Sequence, residues 1–132
     1  MRRRGGTARG WVGAGLLAGA LLAGCGDDGD EAAAPTVEDA DPERGQELFQ
    51  NNCAACHGSM ADGTASGPPL VHEIYEPGHH SDEAFQVAVA QGVPEHHWDY
   101  GPMPAVGGLD RADVADITAW IRELQREAGI ID

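Results

Sequence analysis

The sequence predicts an all-α domain of three to four helices. Three segments repeat apolar residues at helical spacing, and a residue suited to a helix N-terminus precedes each of them. No segment of useful length alternates apolar and polar residues in the manner of a half-exposed β-strand. The region with these patterns has only about 90 residues, so its own hydrophobic core must be thin.

The first predicted helix runs from Asp41 to Asn52. Asp41 can accept hydrogen bonds from the amides of the first turn, and Pro42 suits that turn because it has no N–H to satisfy. Leu48 and Phe49 then fall on one face of the helix, which we expect to be buried.

The second predicted helix spans about Asp82 to Gln91. Ser81 is suited to cap its N-terminus, and Gly92 together with Pro94 ends it. The apolar residues that share one face of this helix are Phe85, Ala88 and Val89.

The third predicted helix follows a cap at Asp110 and runs to about Ala128, with Gly129 just beyond it. Apolar residues recurring at this spacing indicate one buried helix face. The residues of this apolar stripe are Val114, Ile117, Trp120, Ile121 and Leu124.

The sequence Cys-Ala-Ala-Cys-His at residues 53–57 is the most informative motif in the chain. A redox dithiol with this spacing would follow a strand in a βαβ pattern, and a zinc ribbon would need a second pair of ligands; neither is present. Two thiols and an imidazole at this spacing are what covalent attachment of a c-type haem requires. We therefore predict one covalently bound haem c, with thioether bonds to Cys53 and Cys56 and with His57 as the proximal iron ligand.

The N-terminus has the pattern of an export signal. Arginines at positions 2–4 precede a run of apolar and small residues at 11–23, which is shorter than the about 20 apolar residues of a membrane-spanning helix. The run ends in Leu-Ala-Gly-Cys at residues 22–25, which resembles the lipobox of bacterial lipoproteins. We expect residues 1–24 to be a lipoprotein signal peptide and Cys25 to be lipidated, although ordinary cleavage would leave Cys25 as a free thiol.

Residues 25–40 are predicted to be the lipidated cysteine and an acidic flexible tether. From Gly26 to Ala40 the only larger aliphatic side chain is Val37, so this stretch cannot bury enough apolar surface to fold. The protein would then be exported and lipid-anchored to the extracytoplasmic face of a bacterial membrane, on the periplasmic side if the cell has two membranes.

From Asp41 to Ala128 the chain resembles a class I cytochrome c. Gly45 and Phe49 occupy positions where that family has a glycine and an aromatic residue, and Trp120 matches the aromatic residue of its last helix. The glycine would let the two helices cross closely, because it has no side chain. The resemblance implies a small cytochrome c fold wrapped around one haem, with residues 41–132 as the cytochrome c domain.

The resemblance also implies the groups around the iron. Gly-Pro-Pro-Leu at residues 67–70 resembles the family's Gly-Pro-x-Leu turn, in which the Pro68 carbonyl would accept the proton on the far ring nitrogen of His57 and so orient the ring. Met103, within Tyr-Gly-Pro-Met-Pro at residues 100–104, resembles the family's methionine loop and would be the distal iron ligand.

Two aromatic residues precede this methionine. Trp98 and Tyr100 are expected to pack on the haem or to bond a propionate, as aromatic residues in this loop do in the resembled family. Ordinary core packing is an equally good interpretation of both.

The remaining histidines offer other ligands. His96 or His97 could replace the methionine, which would give bis-histidine ligation and a lower potential. A separate zinc or copper site formed by these residues together with His79 and His80 is disfavoured, because adjacent side chains diverge and the spacing places no third ligand.

An iron with both axial positions filled by the protein has no open site for substrate, so we expect a one-electron carrier between respiratory or other redox complexes and not an enzyme. Two alternatives stay open. The domain could be a fixed haem subunit of a larger oxidoreductase complex, or a gas sensor or peroxidase if Met103 is not a stable ligand.

The charge of the chain bears on its partners. It has no lysine, and only four of its eight arginines follow Cys25, against 22 acidic residues, which gives a formal net charge near −18 from that residue onward. We expect a monomer whose redox partners present a basic docking face, although the acidic surface could instead serve solubility. The same sign disfavours nucleic acid and anionic lipid as surface partners.

Overall fold

Residues 36–132 are described by the structure, which is a computed structural model. The predicted signal peptide, the lipidation of Cys25 and most of the predicted tether lie outside these residues. Four helices and two short 3-10 turns make up the described part, which has isolated β-bridges but no β-strand, so the prediction of an all-α fold is confirmed. The helices are α1 (Pro42–Asn52), α2 (Ala54–His57), α3 (Asp82–Gln91) and α4 (Arg111–Glu127).

Helix α1 begins as its sequence predicts. The Asp41 carboxylate accepts hydrogen bonds from the amides of Glu43 and Arg44, each at 3.1 Å, and Pro42 is the first helical residue. Two of the amides that a helix N-terminus leaves unpaired are thereby satisfied.

Helices α3 and α4 also lie close to their predicted bounds. Asp110 and Asp113 form a capping box at the start of α4, in which each side chain accepts from the backbone amide of the other residue. Ser81 precedes α3 in an extended conformation but makes no side-chain hydrogen bond to the helix. Gly92 follows α3 with a φ of +76°.

The first and last helices cross at Gly45, as the sequence predicts. A Cβ atom at this residue would lie 1.9 Å from the carbonyl oxygen of Asp116, so only glycine allows the two backbones to come this close. Beside the crossing, the rings of Phe49 and Trp120 pack with centroids 4.9 Å apart. The buried core around this contact consists of Phe49, Ala61, Leu70, Ile117, Trp120 and Ile121.

A charged contact joins the same two helices. The guanidinium of Arg44 donates to the carboxylates of Asp113 and Asp116, and the amide of Asp41 donates to Asp116 Oδ1 at 2.8 Å. The Asp110 amide and the Arg44 side chain hold the pKa of Asp113 below its ordinary value. The start of α1 is therefore tied to the first two turns of α4.

Arg122, on α4, is almost fully buried, with only 3% of its side chain exposed. Its N–H groups donate to the carbonyls of Tyr75 and His80 and to the carboxylate of Asp82, at 2.5 to 2.9 Å. Gln125 donates to the carbonyls of Leu70 and Tyr75, at 2.9 and 3.1 Å. These two side chains fasten the segment 70–82 to α4, and the apolar pattern of the helix did not predict them.

Two 3-10 turns also lie beyond the sequence predictions. Glu73–Tyr75 forms one of them, between the Leu70 turn and α3. Val37–Asp39 forms the other, within the predicted tether, and Val37 is only half exposed. None of the helices within residues 36–132 is both long and apolar enough to cross a membrane.

Candidate functional site

The Cys-x-x-Cys-His motif lies where α1 passes into α2. The amide of Cys53 donates to the Phe49 carbonyl at 2.8 Å and closes α1, and the four residues Ala54–His57 then form a single helical turn. Cys53 is half-buried and Cys56 is exposed, and neither forms a disulfide. Cys53 thus lies just before this helical turn, and Cys56 lies within it, directly before His57.

His57 is buried, with 9% of its surface exposed, and its ring has a defined partner. Its Nδ1 atom lies 2.9 Å from the carbonyl oxygen of Pro68. A carbonyl can only accept, so Nδ1 carries the proton and Nε2 keeps the lone pair that an iron ligand needs. Burial lowers the pKa of His57, against the smaller opposing effect of this hydrogen bond, and so favours the neutral imidazole.

Backbone hydrogen bonds hold the Pro68 turn beside the motif. The amide of Gly63 donates to the His57 carbonyl at 2.7 Å, and the hydroxyl of Thr64 donates to the Cys56 carbonyl at 2.6 Å. The amide of Leu70 donates to the Ala61 carbonyl at 2.7 Å. Residues 58–70 therefore form a fixed loop that positions the acceptor for His57.

The two thiols differ in environment. Burial, together with the nearby Cys56 thiol, raises the pKa of Cys53 to about 11. Cys56, in contrast, is exposed.

Met103 is held by a short backbone bridge. Its amide and carbonyl exchange hydrogen bonds with Val93, both at 2.9 Å, and its side chain is half-buried. Gly92 is packed so closely here that a Cβ atom would lie 2.6 Å from the Met103 carbonyl oxygen. The bridge ties Met103 to the C-terminus of α3 and makes residues 94–102 a closed loop.

Trp98 and Tyr100 project from this loop into different surroundings. The Trp98 ring is nearly parallel to that of Tyr75, with centroids 6.0 Å apart, and meets the His72 ring edge-on at 5.4 Å. Tyr100 is exposed, 6.5 Å from Trp98. The structure therefore joins the Met103 loop to the segment 70–80 through Trp98.

The histidines of two separate segments come together. Potential ligand atoms of His79, His80 and His97 all lie within 4.8 Å of one another. The expectation that the adjacent histidines diverge is therefore wrong, and the structure brings to them a third ligand that the spacing does not place. His97 reaches the pair because the closed loop folds back over it, and the sequence carries no signal of that approach.

These residues fit a covalent c-type haem. Two thiols lie at the start of one helical turn and within it, the buried imidazole has its outer nitrogen bonded to a carbonyl, and a methionine lies in a fixed loop further along the chain. In comparison with known families, the family model described as Cytochrome c matches residues 42–125. No curated protein matches the chain.

Proposed function

Because the chain belongs to the cytochrome c family, which binds haem c covalently and serves haem-based electron transfer, we propose that it is a one-electron carrier with His57 and Met103 as axial iron ligands. Thioether bonds from Cys53 and Cys56 would hold the haem. The haem supplies the change between ferric and ferrous iron, which is the whole of the chemistry that such a carrier needs.

The observation that carries the proposal is the 2.9 Å contact between His57 Nδ1 and the Pro68 carbonyl. It fixes which ring nitrogen is free, and it holds the ring in one orientation beside the two cysteines. A carbonyl acceptor also raises the basicity of the ligating nitrogen. A dithiol without metal or haem would have no use for an imidazole held in this way.

The second axial ligand rests on the placement of Met103. The bridge to Val93 fixes its backbone, and the prolines on both sides, Pro102 and Pro104, restrict the conformations of the loop. A thioether ligand favours ferrous iron and raises the potential. With both axial positions held by side chains, the protein leaves no position for substrate on the iron.

The location and the partners follow from other features. The tetrapeptide 22–25 supports a lipid anchor at Cys25 on the extracytoplasmic face of the membrane. Three of the four arginines after Cys25 form ion pairs with acidic side chains, namely Arg44, Arg111 and Arg122. Little positive charge is left to oppose the acidic residues, which favours redox partners with a basic docking face.

An optical spectrum of the haem-loaded protein, with and without the Met103→Ala substitution, tests the ligand assignment. We expect a low-spin c-type spectrum whose weak far-red methionine–iron band disappears in this variant. Met60→Ala is the matched control, because Met60 is 51% exposed and follows His57 by only three residues. It should leave the band unchanged.

Other outcomes would point elsewhere. A high-spin native spectrum with binding of carbon monoxide by the reduced protein would reject methionine ligation and favour a gas sensor or peroxidase. A low-spin spectrum that Met103→Ala leaves unchanged would move the assignment to His96 or His97. Co-purification with a stoichiometric partner in mild detergent would favour a fixed subunit over a mobile carrier.

A further inference from the structure

We propose that His79, His80 and His97 form a binding site for one divalent transition-metal ion of the kind that imidazole prefers, such as zinc or copper(II), in addition to the haem iron. The first two residues lie between the Glu73–Tyr75 turn and α3, and the third lies in the loop that ends at Met103. The site would therefore join two segments that are distant in sequence.

The distances suit a single ion. The Nε2 atoms of His79 and His97 lie 3.3 Å apart and form a hydrogen bond, so one of them carries a proton that must move to Nδ1 of its own ring when an ion binds. Two nitrogen ligands that are each about 2.0–2.1 Å from a tetrahedral zinc ion are themselves about 3.3 Å apart. A ligand nitrogen of His80 lies within 4.8 Å of those of the other two, so the three rings must close by up to about 1.5 Å to bind one ion, and the exposed rings of His79 and His97 are the ones free to move.

The orientation of His80 also suits a metal ligand. Its Nδ1 atom lies 2.6 Å from the carbonyl oxygen of Ile74, so Nδ1 carries the proton and the lone pair is left on Nε2. Histidine ligands in metal sites commonly donate their other N–H to a carbonyl or carboxylate in this way. The backbone of His80 is fixed as well, because its carbonyl accepts from Arg122 at 2.6 Å and its amide donates to the Glu76 carbonyl at 2.8 Å.

The ionisation of the rings agrees with this geometry. Desolvation, followed by the charges of the neighbouring histidines, lowers the pKa of His97. Desolvation also lowers the pKa of His80, where the Ile74 hydrogen bond opposes the shift and His79, His96 and Arg122 add to it. Neutral imidazoles with free lone pairs are the form that binds a metal ion.

The surroundings provide access and negative charge. His79 and His97 border an open cleft of about 700 Å³, which Glu73 and Glu76 also line. A carboxylate or a water molecule could supply the fourth ligand that zinc requires. The positive charge of Arg122 lies near His80, but its guanidinium is already bonded to the Asp82 carboxylate and to two carbonyls.

His96 provides a matched control because it is an exposed histidine next to the site but outside it. Its ring lies 4.3 Å from that of His97, yet its Nδ1 atom faces the Pro94 carbonyl at 2.9 Å and it does not belong to the converging group. If surface histidines bound the metal ion without a defined site, His96 would contribute to binding as much as the adjacent His97. A defined three-histidine site would not.

Calorimetric titration of zinc chloride into the haem-loaded protein tests the proposal. We expect one ion per chain, and a loss of affinity of about 10-fold or more in His79→Gln, His80→Gln and His97→Gln, since even outer contacts of metal ligands contribute about that much. His96→Gln should change the affinity by less than about 3-fold, because the imidazole it removes bonds neither to the ion nor to a ligand, its Nδ1 atom facing the Pro94 carbonyl. Zinc should also raise the melting temperature of the native protein, but not that of the three ligand variants.

Several results would overturn the proposal. These are the absence of saturable binding, several weak equivalent sites, or an equal loss of affinity in His96→Gln and His97→Gln. An unchanged haem spectrum verifies that each variant has folded. Because His79 and His97 are exposed, at least these two substitutions should leave the fold intact and keep the test decisive.

Discussion

Replacing Gly45 by alanine should force the two crossing helices apart. The new Cβ would lie 1.9 Å from the Asp116 carbonyl oxygen and 2.3 Å from its carbon, whereas ordinary contacts of this kind begin at 3.4 Å. Relief of the closer contact by helix separation alone requires a movement of about 1.5 Å. The obstructing atoms belong to the backbone of α4, so no side-chain rotation can accommodate the methyl group.

The energetic result follows from the core beside the crossing. A gap of about 0.5–1 Å already loses a quarter to a half of a van der Waals contact, and Phe49 and Trp120 pack directly against each other here. Overpacking typically costs about 1–3 kcal/mol. The intrinsic helix preference of alanine returns only about 0.5–1 kcal/mol. A backbone clash lies at the severe end of overpacking, so we expect the free energy of unfolding to fall by about 2–2.5 kcal/mol after this gain is subtracted.

Thermal unfolding of the haem-loaded protein, followed by far-ultraviolet circular dichroism, measures this effect. For a domain of this size the expected loss corresponds to a fall in melting temperature of roughly 10–20 °C. Gln46→Ala is the control, because Gln46 is the exposed neighbour on the same helix, and it should change stability by no more than about 0.5 kcal/mol. An equal or higher melting temperature for Gly45→Ala would refute the close crossing.

Three further predictions concern the polar contacts and the turn segment. Arg122→Met should lower the free energy of unfolding by about 2–4 kcal/mol in denaturant titrations, because it removes the donor to the His80 carbonyl and to the Asp82 carboxylate and one of the two donors to the Tyr75 carbonyl. Arg126→Met on the exposed side of the same helix should have little effect. Asp110→Ala should lower the free energy of unfolding by about 1 kcal/mol, because it removes the capping box. Ser81→Ala should lower it by less, because the Ser81 side chain makes no capping bond, and a larger loss for Ser81→Ala would contradict this. Burial raises the pKa of Tyr75 to about 12, so the folded state holds this proton more tightly than the unfolded chain does. The stability that this proton contributes is complete below the ordinary tyrosine pKa of about 10 and is lost as the pH rises toward about 12. In denaturant titrations across this pH range, the free energy of unfolding should therefore fall less for Tyr75→Phe than for the native protein.

Local signals in the sequence predict the helices well. Asp41 and Asp110 satisfy amides within three residues of themselves, so the start of each helix depends on a few neighbouring residues only. Gly45 predicts the helix crossing because a glycine lowers the stability of a helix relative to alanine, and a close approach of two backbones is a physical reason to have it there. The contact between His57 and Pro68 spans eleven residues and was expected only because the turn resembles that of a known family.

The features that the sequence does not reveal are contacts with backbone carbonyls and between distant loops. From the sequence, Arg122 looks like a solvent-facing residue beside an apolar stripe. Its partners include the backbone carbonyls of Tyr75 and His80, and every residue has a carbonyl, so no sequence pattern indicates these contacts. The approach of His97 to His79 is likewise not indicated by any sequence pattern. It depends on the path of a whole loop, which no local preference determines.

The contacts of Arg122 and Gln125 also affect how the Met103 loop is held. Arg122 and Gln125 hold the segment 70–82 against α4, and that segment in turn supports the Met103 loop through the stacking of Tyr75 on Trp98. The Met103 backbone is fixed separately by its bridge to Val93 at the end of α3. The loop is thus held both at its base and along its side, and neither attachment involves a residue of the Cys-x-x-Cys-His motif. Under the proposed function, Met103 as distal ligand would be held in one position in both oxidation states, so that less reorganisation would accompany each electron transfer. The buried arginine therefore contributes to the proposed function through the loop that it supports, although no atom of its side chain lies in the motif.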